Sequence, residues 1–398
     1  MNSEADIRIG TRISTTELER RWKAVRMQMK ERGLDFLVLQ NCTDSLGGYL
    51  KWFTDLPTRN NYPATVIFPR DDEMITIWHG PRPPAEPSPP AWSIRGVKKR
   101  ISVPYVPTLG KSSGTFDAEK VVEELAQYKN CNVGLVGTEL MSAAFYKCIV
   151  EQLNTAKFED ATNMVDAIKA IKSDEEIQLT REVCEMQDSI FEYALTRIQP
   201  GKRDYEIHAD IVHRCLEMGG EQTNIMVGSA AANVASKQLP LHFWNRRIEE
   251  GDQFTLLIEA NGPSGLWAEL GRTICLGKAS LELEEQCELA IKAQKLTLSL
   301  LKPGADPAAI FKANNDFMKS IGYPEEKRIF AHGMGYDMVE RPAIDCGETM
   351  KIAARMNIAV HPSVVSAKAA GWVCENYIIA ETGENECLHK TVQKIFEI

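Results

Sequence analysis

The chain has 398 residues, of which 44% are hydrophobic and 25% are charged, and its net charge at pH 7 is −9. This length and composition are typical of a globular protein with two domains, and the negative charge argues against a nucleic-acid partner. No apolar run approaches ~18 residues, so we expect no membrane partner, and the polar residues 1–6 lack a secretory apolar stretch. The ten cysteines form no Cys-x-x-Cys pair, which predicts reduced thiols in a cytoplasmic protein.

The first half of the chain alternates between strand and helix patterns. Ser14 and Glu17 form a capping-box pattern ahead of apolar residues at helical spacing, and Gly33 ends that helix. Further runs predict strands at 34–39, 64–68, 74–78 and 133–136, and helices at 117–128 and 141–153. The proline-rich stretch 81–90 predicts a surface loop or an extended arm. Such alternation predicts a small α/β domain, which we place at residues 1–164.

The second half, residues 165–398, begins with helices and continues with hairpins. Ser173 precedes three acidic residues in a first helical turn, where the helix dipole favours negative charge. The apolar patterns predict helices from 173 to 200, 204 to 219, 281 to 301 and 307 to 321, and strands at 254–258, 273–276, 357–366 and 372–380. Helices followed by hairpins predict an α+β domain rather than a parallel sheet.

A hairpin in this second domain carries two carboxylates, Glu259 and Glu269. An apolar run at 254–258 leads into the first acid, and the turn residues 261–265 separate the two. Two carboxylates on adjacent core strands are costly unless a metal ion or a cationic substrate meets them. The hairpin is therefore the first candidate for a functional site.

Four further residues could join the hairpin acids: His242, His332, His361 and Glu375. Taken singly, a histidine or glutamate of this kind is more often a hydrogen-bonded structural residue. Glu375, however, lies inside an apolar strand pattern, where a carboxylate needs a partner. The number of metal-capable side chains at the strand ends of one domain favours a common site.

The order of these residues resembles the creatinase/prolidase/methionine aminopeptidase family, M24. The matching landmarks are His242, Glu250-Gly251-Asp252, Glu259-x9-Glu269-x2-Arg272-Thr273, Leu301-Lys302-Pro303-Gly304-Ala305, His332-Gly333-Met334-Gly335, His361-Pro362 and Glu375 followed by Glu381-Thr382-Gly383. They cover roughly residues 165–395, and the first half resembles the N-terminal domain of creatinase and prolidase. The resemblance implies an α+β protein, in which a pita-bread catalytic domain follows a smaller α/β creatinase/prolidase-type N-terminal domain. It also implies a homodimer.

The resemblance further implies a set of metal ligands. Peptidases of this family bind two divalent ions with Asp, Asp, His, Glu and Glu, and these positions correspond to Glu259, Glu269, His332, His361 and Glu375 in this sequence. Both aspartates are thus lengthened by one methylene, and a histidine replaces the first glutamate. A second family histidine falls on Val339 and a family arginine falls on Val373. The implied site holds one or two divalent ions (Fe, Mn or Zn), while metal-free catalysis of the creatinase type stays open.

The catalytic residues implied by the resemblance are His242, His332 and His361, with His242 as general base or oxyanion partner. The candidate substrate-binding residues are His242, Trp244, Trp267, Tyr336 and Trp372. Because side chains two apart on a strand share a face, Trp267 should lie on the face of Glu269, and Trp372 should point away from the face of Glu375. Aromatic rings with acids attract cations, although tryptophans of this kind are equally typical of a core.

These observations favour a metal-dependent hydrolase that cleaves a C–N bond in a small, possibly cationic, molecule. Three alternatives stay open. One is an Xaa-Pro dipeptidase or aminopeptidase, and another is a lyase that cleaves a sulfonium or betaine compound, as a dimethylsulfoniopropionate-cleaving member of the family does. The last is an inactive binding homologue.

Overall fold

The computed structural model describes residues 12–41, 48–57, 62–80, 89–104, 115–237 and 245–398. Its contacts divide the chain into two compact units, Met1–Lys169 and Ala170–Ile398. The predicted domain assignment, with its boundary between residues 164 and 165, stays a prediction. Residues 81–88 of the predicted proline-rich loop lie outside the described residues. Within the described ranges, no helix is both long and apolar enough to cross a membrane.

The first unit is built on a mixed sheet. Its elements are α1 Thr15–Arg32, β1 Phe36–Asn41, α2 Gly48–Thr54, β2 Ala64–Pro69, β3 Met74–His79, β4 Val97–Val103, α3 Phe116–Leu125, β5 Asn132–Val136, α4 Ala143–Gln152, β6 Lys157–Asp160 and α5 Thr162–Lys169. The strands form one sheet in the order β4-β3-β2-β1-β5-β6, in which β2 runs antiparallel to both neighbours. The remaining neighbouring pairs are parallel. The predicted strands and helices of this half are confirmed, with ends shifted by a few residues.

The first helix shows how the local sequence sets these elements. The Ser14 side chain accepts a hydrogen bond from the backbone N–H of Glu17, and Gly33 ends the helix with a positive φ of 70°. Four elements of the first unit were not predicted from the sequence: α2, β4, β6 and α5. Their short or mixed-polarity segments carry too little periodicity to be recognised in isolation.

The second unit contains the predicted hairpin and the helices that cover it. Its elements are α6 Asp174–Arg197, α7 Asp204–Glu217, β7 Thr223–Ala230, β8 Gln253–Asn261, β9 Trp267–Cys275, α8 Leu281–Leu300, α9 Pro307–Ser320, β10 Ala331–Gly333, β11 Glu340–Ala343, β12 Asn357–Val360, β13 Ser363–Val365, β14 Ala370–Ile378, β15 Glu386–Cys387 and β16 Phe396–Glu397. The single strand predicted at 357–366 is divided into β12 and β13 at His361-Pro362, since proline cannot donate a backbone hydrogen bond to a strand partner.

The strands of the second unit that the structure describes form one sheet, with the main order β11-β10-β12-β14-β9-β8-β7. The neighbours along this order are antiparallel, and β16 adds a parallel pair to β9. Side chains therefore alternate between two faces along each strand.

One face of this sheet is covered by helices. The side chains of Leu256, Ile258, Leu270 and Ile274 pack with α6 and α7 in one buried apolar cluster. The helix α6 begins with a complete capping box between Ser173 and Glu176. Since these apolar residues alternate with Glu259 and Glu269 along β8 and β9, both glutamates lie on the opposite face.

Candidate active site

Glu259 and Glu269 lie opposite each other on the paired strands β8 and β9. The register of the hairpin pairs the two residues directly, and both are buried, with 5% and 2% of their surfaces exposed. The amide of Asn224 on β7 donates a hydrogen bond to Glu259 Oε2. The hairpin therefore brings two buried carboxyl groups to one point on the face that the helices do not cover.

Two histidines meet Glu269 from neighbouring strands. His332 lies on β10, and its Nε2 is 3.1 Å from Glu269 Oε1. His361 follows β12, and its Nε2 is 3.9 Å from the same oxygen. The rings of the two histidines meet edge to face, with their centroids 5.1 Å apart. One ligand atom from each of the three residues lies within 4.8 Å of the others.

Burial and mutual charge give these four groups different pKa values. Burial raises the pKa of Glu259, and the charge of Glu269 raises it further. Burial opposes ionisation of Glu269 as well, but the nearby rings of His361 and His332 outweigh it and lower the pKa of that carboxyl. One carboxyl group of the pair thus tends to keep its proton while the other tends to ionise.

The two histidines differ in the same way. Burial would lower the pKa of His332, but its hydrogen bond and charge interaction with Glu269 raise it. Burial lowers the pKa of His361 to about 4. His332 Nδ1 lies 2.9 Å from the carbonyl oxygen of Gly333. Because a carbonyl only accepts, this contact fixes the proton on Nδ1 of the neutral ring and leaves Nε2 to face Glu269.

The donor set of Glu269, His332 and His361 fits one divalent ion. Both ring nitrogens of His361 are buried and have no hydrogen-bond partner among the described residues. Unpartnered buried polar atoms are costly, and a bound ion would satisfy one of them. Two imidazoles and one carboxylate suit Zn, Mn or Fe. Glu259 does not belong to the group within 4.8 Å and lies beside it.

The sequence model of metallopeptidase family M24 matches residues 178–384, just over half of the chain. The chain belongs to metallopeptidase family M24. It is 25% identical over 272 residues to an Xaa-Pro dipeptidase of Pyrococcus furiosus, covering 66% of this chain and 75% of the relative. It is 24% identical over 379 residues to an uncharacterized hydrolase/peptidase of Sinorhizobium fredii, covering 92% and 91%.

Solved structures show the same fold. An X-Pro aminopeptidase of Thermotoga maritima superposes with a TM-score of 0.76 at 18% identity, covering 95% of this chain and 99% of that one. The predicted α+β architecture with an M24 pita-bread domain is confirmed, and so is membership of a family of hydrolases.

Within this M24 protein, the predicted ligand Glu375 lies away from the cluster. Its Oε1 forms an ion pair with the buried guanidinium of Arg272, and its Oε2 accepts hydrogen bonds from Tyr377 Oη and Gln393 Nε2, both at 2.5 Å. Glu375 pairs with Val360, whose side chain packs in the apolar cluster with Ile358 on the helix-covered side of the sheet. Its role as a metal ligand stays a prediction.

The site face of β14 carries Trp372 and Cys374 instead. The indole of Trp372 lies against His361, with ring centroids 5.9 Å apart, and packs with Leu257 and Cys374. A Cβ at Gly271 would lie 2.1 Å from Trp372 Nε1, so the glycine makes room for the indole. Trp372 therefore does lie on the opposite face from Glu375, and that face is the one with the cluster.

The other predicted substrate-binding residues are distributed differently. Trp267 is 1% exposed and packs with Met334 and Ala359 beside the cluster. Tyr336 is buried in the loop after β10, where its backbone N–H donates to Glu340. His242 and Trp244 lie outside the described residues. Their roles stay predictions.

The structure adds residues that the motifs did not reveal. Asn376 Oδ1 accepts a hydrogen bond from the backbone N–H of Glu269 at 2.8 Å and lies 3.4 Å from His389 Nε2. Cys374 Sγ lies 3.3 Å from Glu269 Oε2. Both occupy the same face of β14 as Trp372, so the period of two counted from Trp372 was the signal that could have found them.

Proposed function

We propose that this protein hydrolyses a C–N bond in a small, positively charged substrate, using one divalent metal ion bound by Glu269, His332 and His361. The observation that carries the proposal is the buried cluster of these three residues, in which the nitrogens of His361 have no hydrogen-bond partner in the described parts of the chain. Membership of a family of metallopeptidases supports a hydrolytic reaction at this position.

The bound ion would supply a Lewis acid and an activated water. The residues of the chain hold the metal ligands in position and transfer protons. The carbonyl of Gly333 holds the ring of His332, and the backbone contact with Asn376 holds the strand at Glu269. Glu259 faces the cluster from the adjacent strand, and we assign to it the transfer of a proton to the leaving nitrogen. His242 stays predicted as general base or oxyanion partner.

The walls of the site support a small cationic substrate. Trp372 lies beside His361, and Leu257 and Cys374 fill the space next to it. The carboxylate of Glu269 and the indole of Trp372 lie on one face and suit a cation, and a cation–π contact is worth ~2 kcal/mol when it is desolvated. The guanidinium of Arg328 already lies 5.3 Å from the centroid of this indole.

Xaa-Pro dipeptide hydrolysis is the second candidate. The relative from Pyrococcus furiosus carries that name at 25% identity. Against it stand the ion pair between Glu375 and Arg272, which engages a ligand of the peptidase set, and the apolar residues Val339 and Val373 at two polar family positions.

Metal analysis and a substrate panel test the proposal together. Protein purified without chelator is analysed for bound metals and then incubated, with added Mn, Co, Zn or Fe, with Xaa-Pro dipeptides and with small cationic amides, amidines and betaines. We expect one ion per chain and turnover of a small cation, detected by NMR. His361→Ala should lose the ion. His213→Ala is the matched control, because that side chain is 71% exposed on α7.

Three outcomes decide against the proposal. Absence of bound metal together with full turnover by Glu269→Ala would exclude the metal site. Cleavage of dipeptides without turnover of small cations would establish the second candidate. An alkene product in place of an alcohol or acid would identify a lyase.

A further inference from the structure

Cys374 is a buried thiol in contact with the candidate metal ligand Glu269. Its Sγ lies 3.3 Å from Glu269 Oε2 and 3.7 Å from the backbone oxygen of the same residue. The side chain has no exposed surface. The thiol hydrogen is a donor, and this contact directs it to the carboxylate oxygen Oε2.

The two oxygens of Glu269 consequently have different partners. Oε1 faces the Nε2 atoms of His332 and His361, at 3.1 Å and 3.9 Å. Oε2 faces the thiol of Cys374. A carboxylate that bridges two metal ions uses both of its oxygens, and here only Oε1 points to the histidines.

We propose that Cys374 is a positioning residue that restricts this site to a single metal ion. Its thiol holds Oε2 of Glu269, which directs Oε1 to the two histidines and occupies the oxygen that a second ion would need. Glu375 acts in the same direction, because it is held by Arg272 on the other face of the sheet and offers no further carboxylate to a second ion. The inference rests on the proposed metal site.

Partners that orient a metal ligand from behind typically change metal affinity 10–100-fold when they are removed. Loss of the thiol should therefore weaken binding without removing the ligands themselves. Serine at position 374 retains a hydrogen-bond donor on the same β-carbon. Alanine does not, so the pair of variants separates the hydrogen bond from the simple loss of volume.

The test is a titration of metal-free protein with Co²⁺, followed by calorimetry and by the visible absorption of the bound ion. We expect one Co²⁺ per chain for the unmodified protein, about 10–100-fold weaker binding for Cys374→Ala, and binding near the unmodified level for Cys374→Ser. Cys184→Ala is the matched control. This thiol is equally buried on α6 of the same unit, and its removal should cost stability without changing Co²⁺ affinity.

Each contrary result has a distinct meaning. Unchanged affinity in Cys374→Ala would overturn the inference and leave the proposed function intact. Two Co²⁺ ions bound per unmodified chain would overturn the inference and also the one-ion stoichiometry of the proposed site. A strong sulfur-to-cobalt charge-transfer band would also overturn it, because the thiol would then be a ligand. No Co²⁺ binding by the unmodified protein would overturn the proposed metal site itself. If Cys374→Ala does not fold, weak binding by folded Cys374→Ser overturns the inference.

Discussion

The two faces of strands β9 and β14 carry the same type of residue in opposite circumstances. On the helix-covered face, both oxygens of Glu375 have partners, from Arg272, Tyr377 and Gln393. On the other face, Glu269 meets two histidines, and the nitrogens of His361 have no hydrogen-bond partner in the described ranges. Both glutamates are buried, so burial and residue type do not distinguish them. What distinguishes the structural carboxylate from the candidate ligand is whether the polar atoms around it all have hydrogen-bond partners.

Mutations on the two faces should therefore have different effects. Residues of the helix-covered face should contribute mainly to the free energy of unfolding. Residues of the site face should contribute mainly to metal binding and turnover, since buried, incompletely paired groups at active sites are held at a cost to stability.

The largest effect on stability is expected from Glu375→Ala. The substitution leaves the guanidinium of Arg272 buried without its carboxylate, and breaking a buried ion pair in this way costs about 3–5 kcal/mol. Chemical denaturation of the metal-free protein measures the loss. Glu386→Ala is the control, because its ion pair with Arg181 is exposed and should be worth at most ~1 kcal/mol. Loss of metal binding without loss of stability in Glu375→Ala would contradict the division between the faces.

A smaller effect on stability is expected from Asp188, which lies on α6, one of the helices that cover the sheet. Burial would raise its pKa, but the imidazole of His389, 3.6 Å away, and the hydrogen bonds donated by Thr391 outweigh it and lower the pKa to about 2. Because the folded-state pKa lies below the unfolded one, the stabilisation is present above about pH 4 and is lost as the pH falls toward 2. The full shift corresponds to about 2 kcal/mol, and solvent screening reduces the expected loss to about 1 kcal/mol.

The measurement is the free energy of unfolding between about pH 6 and pH 2 for the unmodified protein and for Asp188→Asn. The difference between the two should shrink as the pH falls, because the asparagine cannot titrate. A difference that stays constant over this range would show that Asp188 does not carry the pH dependence.

The smallest effect on stability is expected from Glu259→Gln on the site face. The amide has nearly the same shape, can still accept from Asn224, and removes the repulsion with Glu269. The free energy of unfolding should change by less than about 0.5 kcal/mol or rise. Turnover should fall about 10²–10⁴-fold if the residue transfers a proton. A destabilisation as large as that of Glu375→Ala would remove the distinction between the two faces.

Sequence reasoning located the hairpin because two acids in apolar strands have a physical cost that can be seen without a structure. The helix at Ser173 was predictable from the three acidic residues of its first turn, and the structure adds a complete capping box between Ser173 and Glu176. The shift of strand ends depends on tertiary pairing, which a local pattern does not contain. The division of the 357–366 segment follows from Pro362 itself, which lacks a backbone donor, so the sequence contained that signal.

The placement of Glu375 shows where such reasoning stops. Matching family motifs position by position gives the order of residues, but it does not give the face on which each one lies. That face is set by the register with β9, in which Cys374 pairs with Gly271 and Val373 with Arg272. The same register explains why Cys374 and Asn376, which are not among the family motifs, lie next to Glu269.

The guanidinium of Arg272 is held by the backbone oxygen of Thr391, 119 residues later in the chain, and by that of Val392. Strand β16 then completes the pairing of β9 from the same late segment. A ribosome therefore releases the strand with Glu269 long before it releases the segment that fixes it. Contacts of such large sequence separation form slowly and expose unpaired surface while they are missing. During synthesis, the candidate site should thus be among the later parts of the second unit to reach its final geometry.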